Sequence, residues 1–291
     1  MSLRNILKGT GVALATPFQK NFDIDFKGLE KLINYVIDNG VEYLVTLGST
    51  GETPTLSEEE KGAILSFTFE IVKNRVPVVV GIGGNNTREV CKHLETYSLH
   101  QATAVLSASP AYNKPSQEGI FLHYKALASA SPKPLILYNV PGRTSSNITA
   151  STTLRLANEI EKIAGIKEAS GNVIQCMHIL RDRPENFLVV SGDDHLALPL
   201  IACGMDGVIS VAANCFPKDF SDMVRLALRD DLNAARILNN KILEGNDLLF
   251  AENNPAGLKA FLSEMGIIEN VLRLPLVPLS EELHKKVKTL I

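Results

Sequence analysis

Cysteine is scarce, and its placement excludes more than its number does. Four occur in 291 residues, at Cys91, Cys176, Cys203 and Cys215, and none stands at CxxC or CxxH spacing. That excludes a disulfide framework and a zinc site of ordinary spacing, and it fits a reducing cytoplasm. The six histidines show no HxH or HExxH pattern. Asp193, Asp194 and His195 are adjacent, and three consecutive side chains rarely converge on one ion, so no metal is expected. Positive charge is not in surplus either. Lys and Arg total 29 against 32 Asp and Glu, a net charge of -3, and no basic cluster sits beside aromatics. Nucleic acid is therefore not an expected partner. No run approaches the roughly 18 apolar residues that span a bilayer. The N-terminal MSLRNILKGTGVALATPF has too short an apolar stretch for a secretory signal, and no low-complexity linker interrupts the chain.

What is present is a repeating order. Short, near-continuously apolar runs recur at Gly11–Ala15, Tyr43–Leu47, Pro77–Ile82, Ala104–Ser107, Leu135–Asn139, Ile163–Lys167, Leu188–Ser191 and Gly207–Val211. Runs without polar alternation belong to strands covered on both faces, as in parallel sheets. Amphipathic helix patterns lie between them. Asp25–Asn39 carries Phe26, Leu29, Leu32, Ile33, Val36 and Ile37 on one stripe. Ser57 followed by Glu58, Glu59 and Glu60 supplies a cap and an acidic first turn. Thr87, Ser116, Thr149, Asn172 and Pro217 mark later helix starts, and Gly40 and Gly204 suit helix ends.

Eight β/α units by about residue 229 predict a closed (β/α)8 TIM barrel over 1–229, in preference to a doubly wound sheet. Residues 230–291 contain no clear strand. They read as helices near 231–249, 255–265 and 280–289, a helical C-terminal extension packed on the barrel.

In such a barrel the chemistry sits at the C-terminal ends of the strands. Those positions carry Gly48-Ser49-Thr50-Gly51-Glu52, Pro110-Ala111-Tyr112-Asn113, Tyr138-Asn139 with Arg143 five residues past the tyrosine, Lys167-Glu168, Ser191-Gly192-Asp193-Asp194, and Gly207-Val208-Ile209-Ser210. Lys167 is the sharpest of these. A lysine at a strand end most often snorkels or pairs with a neighbour. Glu168 is not its natural partner, because successive strand residues point to opposite faces. Desolvation disfavours an ammonium, and the neutral amine is the form that attacks a carbonyl. Tyr138, one unit earlier, should be its neighbour and can shuttle protons through hydroxyls such as Ser49, Thr50 and Tyr112. Each of those three also has an ordinary reading as a helix-capping turn or a wetted tyrosine. Arg143 suits a bidentate grip on a carboxylate, and Gly51 and Gly192 could let backbone N–H groups approach one. Gly81-Ile82-Gly83-Gly84-Asn85-Asn86 lacks the ending of a phosphate loop and reads as a turn.

Taken together, GSTGE (48–52), PAYNKPSQEG (110–119), YNVPGRT (138–144), GIKEASG (165–171), SGDD (191–194) and GVISV (207–211) resemble the dihydrodipicolinate synthase family of pyruvate-dependent class I aldolases. The resemblance spans nearly the whole chain. It implies that pyruvate condenses with L-aspartate 4-semialdehyde to give 4-hydroxy-tetrahydrodipicolinate, for diaminopimelate and lysine synthesis, without a metal or organic cofactor. It implies a Schiff base on Lys167, proton exchange by Tyr138, and a hydroxyl relay completed by Ser49 and Tyr112. Thr50, the backbone of Ile209 and Gly192 would bind pyruvate, and Arg143 would bind the semialdehyde carboxylate. Tyr112 would be lent by a neighbouring subunit, in a dimer or a tetramer.

The chain departs from the pattern at several positions. Ser49 stands where the family usually has threonine, a form shared with the N-acetylneuraminate lyase branch. Arg143 favours the synthase over that lyase or a 2-keto-3-deoxy sugar-acid aldolase. Ala111, Glu58 and Lys61 stand where lysine-sensitive members carry a tyrosine and histidines, while Asn85 and Glu89 match, so weak or absent inhibition by lysine is expected. A metal-dependent aldolase and a non-catalytic binding barrel remain as alternatives.

Overall fold

The computed structural model describes residues 2–291. Eight parallel strands close on one another in chain order: β1 (Gly9–Ala13), β2 (Tyr43–Thr46), β3 (Val78–Gly81), β4 (Ala104–Ala108), β5 (Leu135–Asn139), β6 (Ile163–Glu168), β7 (Leu188–Ser191) and β8 (Gly207–Ser210). The ring closes where β8 pairs with β1 through Gly9 and Gly207, Thr10 and Val208, Gly11 and Ile209, and Val12 and Ser210. Eight helices surround it: α1 (Phe26–Asp38), α2 (Glu58–Val72), α3 (Thr87–Thr96), α4 (Gln117–Ala130), α5 (Ala150–Glu159), α6 (Val173–Asp182), α7 (Ala197–Ala202) and α8 (Pro217–Ala227). The expected barrel is thus the observed one. The main shift is in β1, which begins and ends two residues before the apolar run that suggested it.

Strand alternation divides the core into two layers. Leu135, Leu137, Ile166, Val189 and Val208 face the helices. Ala13, Val45, Val79, Leu106, Ile136, Leu188, Val190 and Ile209 fill the barrel interior. Fully burying one such side chain stabilises the fold by roughly 1.5–3 kcal/mol. Below, the N-terminal turn Leu3–Ile6 and Leu7 plug the barrel floor, with Leu7 in the interior cluster. The mouth therefore lies at the opposite, C-terminal end of the strands.

The helix signals in the sequence act as expected. Ser57 and Glu60 form a reciprocal capping box at the start of α2. Ser116, Thr149 and Asn172 each accept a backbone N–H at the start of α4, α5 and α6. For α3 the cap is Asn86, and Thr87 is the first helical residue.

Beyond α8, the tail comprises α9 (Leu232–Phe250), α10 (Ala256–Glu264) and α11 (Glu281–Leu290). It does not stay on the outer wall. Lys259 of α10 meets Glu52 of the loop after β2 at 2.5 Å, both side chains fully buried. Arg273 binds Glu60 at 2.5 Å through Nη2 and donates its backbone N–H to Glu52 at 3.1 Å. The Phe18 ring centroid lies 4.1 Å from Lys259 Nζ and 4.4 Å from Arg273 Cζ. The tail thereby grips the β2 loop, which the strand order places at the mouth.

Candidate active site

Interior-facing positions at the strand ends determine which side chains meet. Tyr138 pairs in register with Lys167 across β5 and β6. Both point inward, since Ile136 beneath Tyr138 is an interior residue and Ile166 before Lys167 faces the helices. Lys167 is 5% exposed, and its Nζ stands 4.4 Å from the centroid of the Tyr138 ring. It makes no hydrogen bond or ion pair with any described residue. Its ammonium or amine is thus buried, held by packing and left free for a ligand.

Glu168 shows why. It points to the opposite face, as the strand period requires. There it accepts from Asn139 Nδ2 at 2.9 Å, Gln175 Nε2 at 3.0 Å and the N–H of Ser170 at 2.7 Å. Asn139 Oδ1 in turn accepts from Ile148 N–H at 2.9 Å, and Asn147 bridges Asn139 and Gln175. This closed amide network ties the ends of β5 and β6 to the following segments. It holds the Tyr138–Lys167 register without drawing on the lysine.

A cavity of about 460 Å³ opens at the mouth. Lys167, Tyr138, Ser49 and Thr50 all line it, together with Ala13, Val45, Leu106 and Ala108. Gly81 to Asn85 form another part of its wall. That Gly-rich stretch is more than a turn. A Cβ at Gly81 would lie 2.3 Å from the carbonyl oxygen of Leu47, so only glycine lets β3 pass the β2 loop here.

The Ser49–Thr50 turn opens a short 3-10 helix, Ser49–Gly51. Gly51 N–H donates to Gly48 at 3.0 Å, and Glu52 N–H donates to Ser49. The N–H groups of Ser49 and Thr50 have no acceptor among the described residues, as at any helix start. Unspent donors of this kind suit an anion. Thr50 is buried and its Oγ1 accepts from Asn254 Nδ2 of the tail at 2.9 Å, whereas Ser49 is exposed.

The other expected residues lie outside the cavity lining. Ile209 is buried, 1% exposed, in the barrel interior. Gly192 packs on the lysine: a Cβ there would meet Lys167 Cε at 2.8 Å. Its N–H is already donated to Glu168 at 2.7 Å, so what it supplies is room for the lysine stem. Arg143 is exposed on the short helix Pro141–Thr144, with Nη2 3.5 Å from the carbonyl oxygen of Asn254. Tyr112 is 90% exposed, at a backbone φ of 68° that non-glycine residues rarely adopt.

Two groups near the mouth have roles that the strand ends do not reveal. Asp194 is buried, and Oδ2 accepts from the N–H groups of Val211 at 3.0 Å and Ala212 at 3.1 Å. Burial raises its carboxyl above the usual range, against the opposing pull of those hydrogen bonds and of Lys167. Adjacency in SGDD draws attention to a metal, when one carboxylate oxygen of Asp194 is occupied with the backbone after β8. Asn254 lies in a tail whose only sequence signal is helical.

The fold and mouth define a class: a closed (β/α)8 barrel of the Schiff-base aldolase type, with a buried lysine, unpartnered among the described residues, beside a tyrosine. Comparison with known proteins narrows it. The model of the dihydrodipicolinate synthetase family matches residues 6–291, and the chain belongs to that family. It is 51% identical to a 4-hydroxy-tetrahydrodipicolinate synthase of Parabacteroides distasonis over 282 residues, 97% of this chain and 95% of the relative. The solved dihydrodipicolinate synthase of Acinetobacter baumannii, complexed with pyruvate, superposes with a TM-score of 0.94 at 41% identity, covering 98% of this chain and 97% of that one. A structure described as a monomeric dihydrodipicolinate synthase variant gives a TM-score of 0.96 at 37% identity, covering 99% and 96%.

Proposed function

We propose that the protein condenses pyruvate with L-aspartate 4-semialdehyde to 4-hydroxy-tetrahydrodipicolinate, through a Schiff base on Lys167. The observation that carries this is the buried lysine with no described protein partner, aligned with Tyr138 over a cavity whose wall includes the unspent N–H groups of Ser49 and Thr50. Membership of the family and the pyruvate complex of the Acinetobacter baumannii relative support the same substrate.

The chemistry follows from that layout. Pyruvate places its carboxylate on the Ser49–Thr50 turn and meets the backbone of Ile209, while Gly192 leaves room for the lysine stem. The Lys167 amine adds to the ketone carbon and water leaves, giving the imine. Tyr138 moves the protons of addition and dehydration, with Ser49 and Tyr112 as relay hydroxyls. Loss of a methyl proton gives an enamine, whose carbon attacks the aldehyde held by Arg143. The amine of the adduct displaces Lys167 and closes the ring. The protonated imine is itself the electron sink, so the scheme needs no metal or organic cofactor.

Tyr112 stands clear of its own subunit's cavity, which supports its action in the cavity of a second copy, and so a dimer or a tetramer. The four free cysteines support a cytoplasmic setting. No helix among the described residues is long and apolar enough to cross a membrane.

The test is pyruvate with borohydride, followed by the coupled assay. An irreversible adduct is expected on the peptide containing Lys167, and turnover is expected with aspartate semialdehyde rather than with sugar aldehydes. A missing adduct sinks the Schiff-base reading, and preference for sugar aldehydes sinks the choice of second substrate.

A further inference from the structure

Asn254 is buried, 5% exposed, in the tail connection between α9 and α10. Its Nδ2 donates to Thr50 Oγ1 at 2.9 Å. We propose that Asn254 is a positioning residue: it occupies the acceptor side of the Thr50 hydroxyl and so turns that hydroxyl's proton toward the carboxylate of bound pyruvate. The inference rests on the assignment of pyruvate to this cavity given above.

A threonine hydroxyl has one proton and two lone pairs. With Asn254 donating to the oxygen, the proton must be placed elsewhere. No described carbonyl or carboxylate receives it, and Thr50 borders the cavity. The free N–H groups of Ser49 and Thr50 lie on the same turn. An anion arriving there meets two N–H donors and one O–H donor, all oriented before it binds. Pre-oriented donors lose little on complex formation, which is why their alignment matters more than their number.

The same residue also reaches Arg143. The carbonyl oxygen of Asn254 is 3.5 Å from Arg143 Nη2, so one tail residue touches both groups assigned to substrate carboxylates. Its own place is fixed. Lys259, five residues on, is locked to Glu52 just past the turn, and Thr16 Oγ1 donates to Gly51 at 2.8 Å. Asn254 Oδ1 is buried and has no described partner. This matters for the test, because the amide could be reversed. Reversed, Oδ1 would accept the threonine proton and draw it away from the cavity. The two orientations give opposite predictions for Asn254→Ala, which loses an orienting donor in the first case and frees the hydroxyl proton for the ligand in the second.

The experiment compares wild type, Asn254→Ala and Asn254→Asp in steady-state assays over both substrates, with thermal melts and pyruvate-dependent borohydride trapping. The alanine variant removes one orienting hydrogen bond. It should raise the KM for pyruvate about tenfold while changing kcat less. The aspartate keeps the shape but only accepts, and it adds a negative charge beside an anion. Its KM for pyruvate should rise further, on the order of a hundredfold. A KM for pyruvate in Asn254→Ala equal to or below that of the wild type overturns the proposal, and so does a KM in Asn254→Asp equal to or better than that in Asn254→Ala. Should the aspartate variant fail to fold, a double-mutant cycle of Asn254→Ala with Thr50→Val decides. The two losses overlap if Asn254 acts through Thr50, and full additivity overturns that. Failure of the underlying reading is distinguishable, because it shows as a wild type without a pyruvate adduct.

Discussion

Two regions of the molecule each bury a lysine against an aromatic ring, and they put it to opposite uses. At the tail seam, Lys259 is fully buried, 4.1 Å from the Phe18 ring centroid, and paired with Glu52 at 2.5 Å. It also donates to the carbonyl oxygen of Val271 at 2.8 Å. Burial pushes its ammonium down to about 8, with Glu52 pulling the other way. At the mouth, Lys167 is nearly as buried and stands 4.4 Å from the Tyr138 ring centroid, yet no described side chain pairs with it. Burial is common to both, so burial alone does not make a lysine reactive. What separates them is whether the surroundings have already used its charge and hydrogens.

One substitution made at both positions tests that contrast, and it carries the largest expected effects. Lys167→Met should abolish the borohydride adduct and turnover, while stability in urea stays level or rises, because a buried amino group without a described hydrogen-bond partner gives way to an apolar side chain. Lys259→Met should do the reverse. The adduct should persist in the folded fraction, and unfolding should become easier by about 3–5 kcal/mol, because Glu52 is left buried without its partner. Adding Glu52→Gln to Lys259→Met should recover part of that loss. If Lys259→Met melts like the wild type, the seam is not the clamp described above.

The two regions also differ in how well they can be read from sequence. The barrel and Lys167 are legible because the signals are local: eight apolar runs alternating with helix patterns imply closure, and the strand period sets Lys167 and Glu168 on opposite faces. Tyr138 follows from one-unit spacing, whereas its pairing in register with Lys167 does not, because the β5–β6 register shifts between Leu135 and Ile136. The seam is not legible. Lys259 and Glu52 are more than two hundred positions apart, and a helical pattern around 255–265 says nothing about which distant loop it meets. Asn254 is invisible for the same reason. Glu168 is legible only in part: its facing away from Lys167 can be read, but not the network of Asn139, Asn147 and Gln175 that receives it. Gly81–Asn85 read as a turn because a wall is a property of the closed barrel rather than of five residues.

Arg143 sharpens the comparison with a cation of a third kind, one left in solvent. It is exposed and its described protein contact, to Asn254, is 3.5 Å long, so little in the fold depends on it. Arg143→Ala should leave the melting temperature and the pyruvate adduct unchanged. It should lower kcat/KM for aspartate semialdehyde by about 10- to 100-fold, the worth of one charge-assisted contact of roughly 1.5–3 kcal/mol. Unchanged kinetics with that substrate would show that the arginine is not its clamp.

The smallest effect is expected from lysine itself, and the reason is again a lysine whose charge is spent. Lys61 lines the outer part of the cavity and holds Glu58 at 2.7 Å. The other oxygen of Glu58 accepts from the Tyr97 hydroxyl at 2.5 Å and lies 3.5 Å from His93. The Lys61 hydrogen bond first, and then that of Tyr97, hold the Glu58 carboxyl below its usual range, so it stays ionised and occupied. Asn85 Oδ1 is likewise taken, by the N–H of Ala111 at 2.8 Å. A free lysine arriving here brings a second ammonium to a place that already has one and finds its acceptors in use. Initial rates with both substrates should therefore hardly change in millimolar L-lysine. Replacing Lys61 by histidine and Ala111 by tyrosine together should raise sensitivity, by freeing Glu58 at neutral pH and adding a hydroxyl. Potent inhibition of the wild type at physiological lysine would overturn this expectation, and with it the argument that a spent Glu58 keeps a second ammonium out.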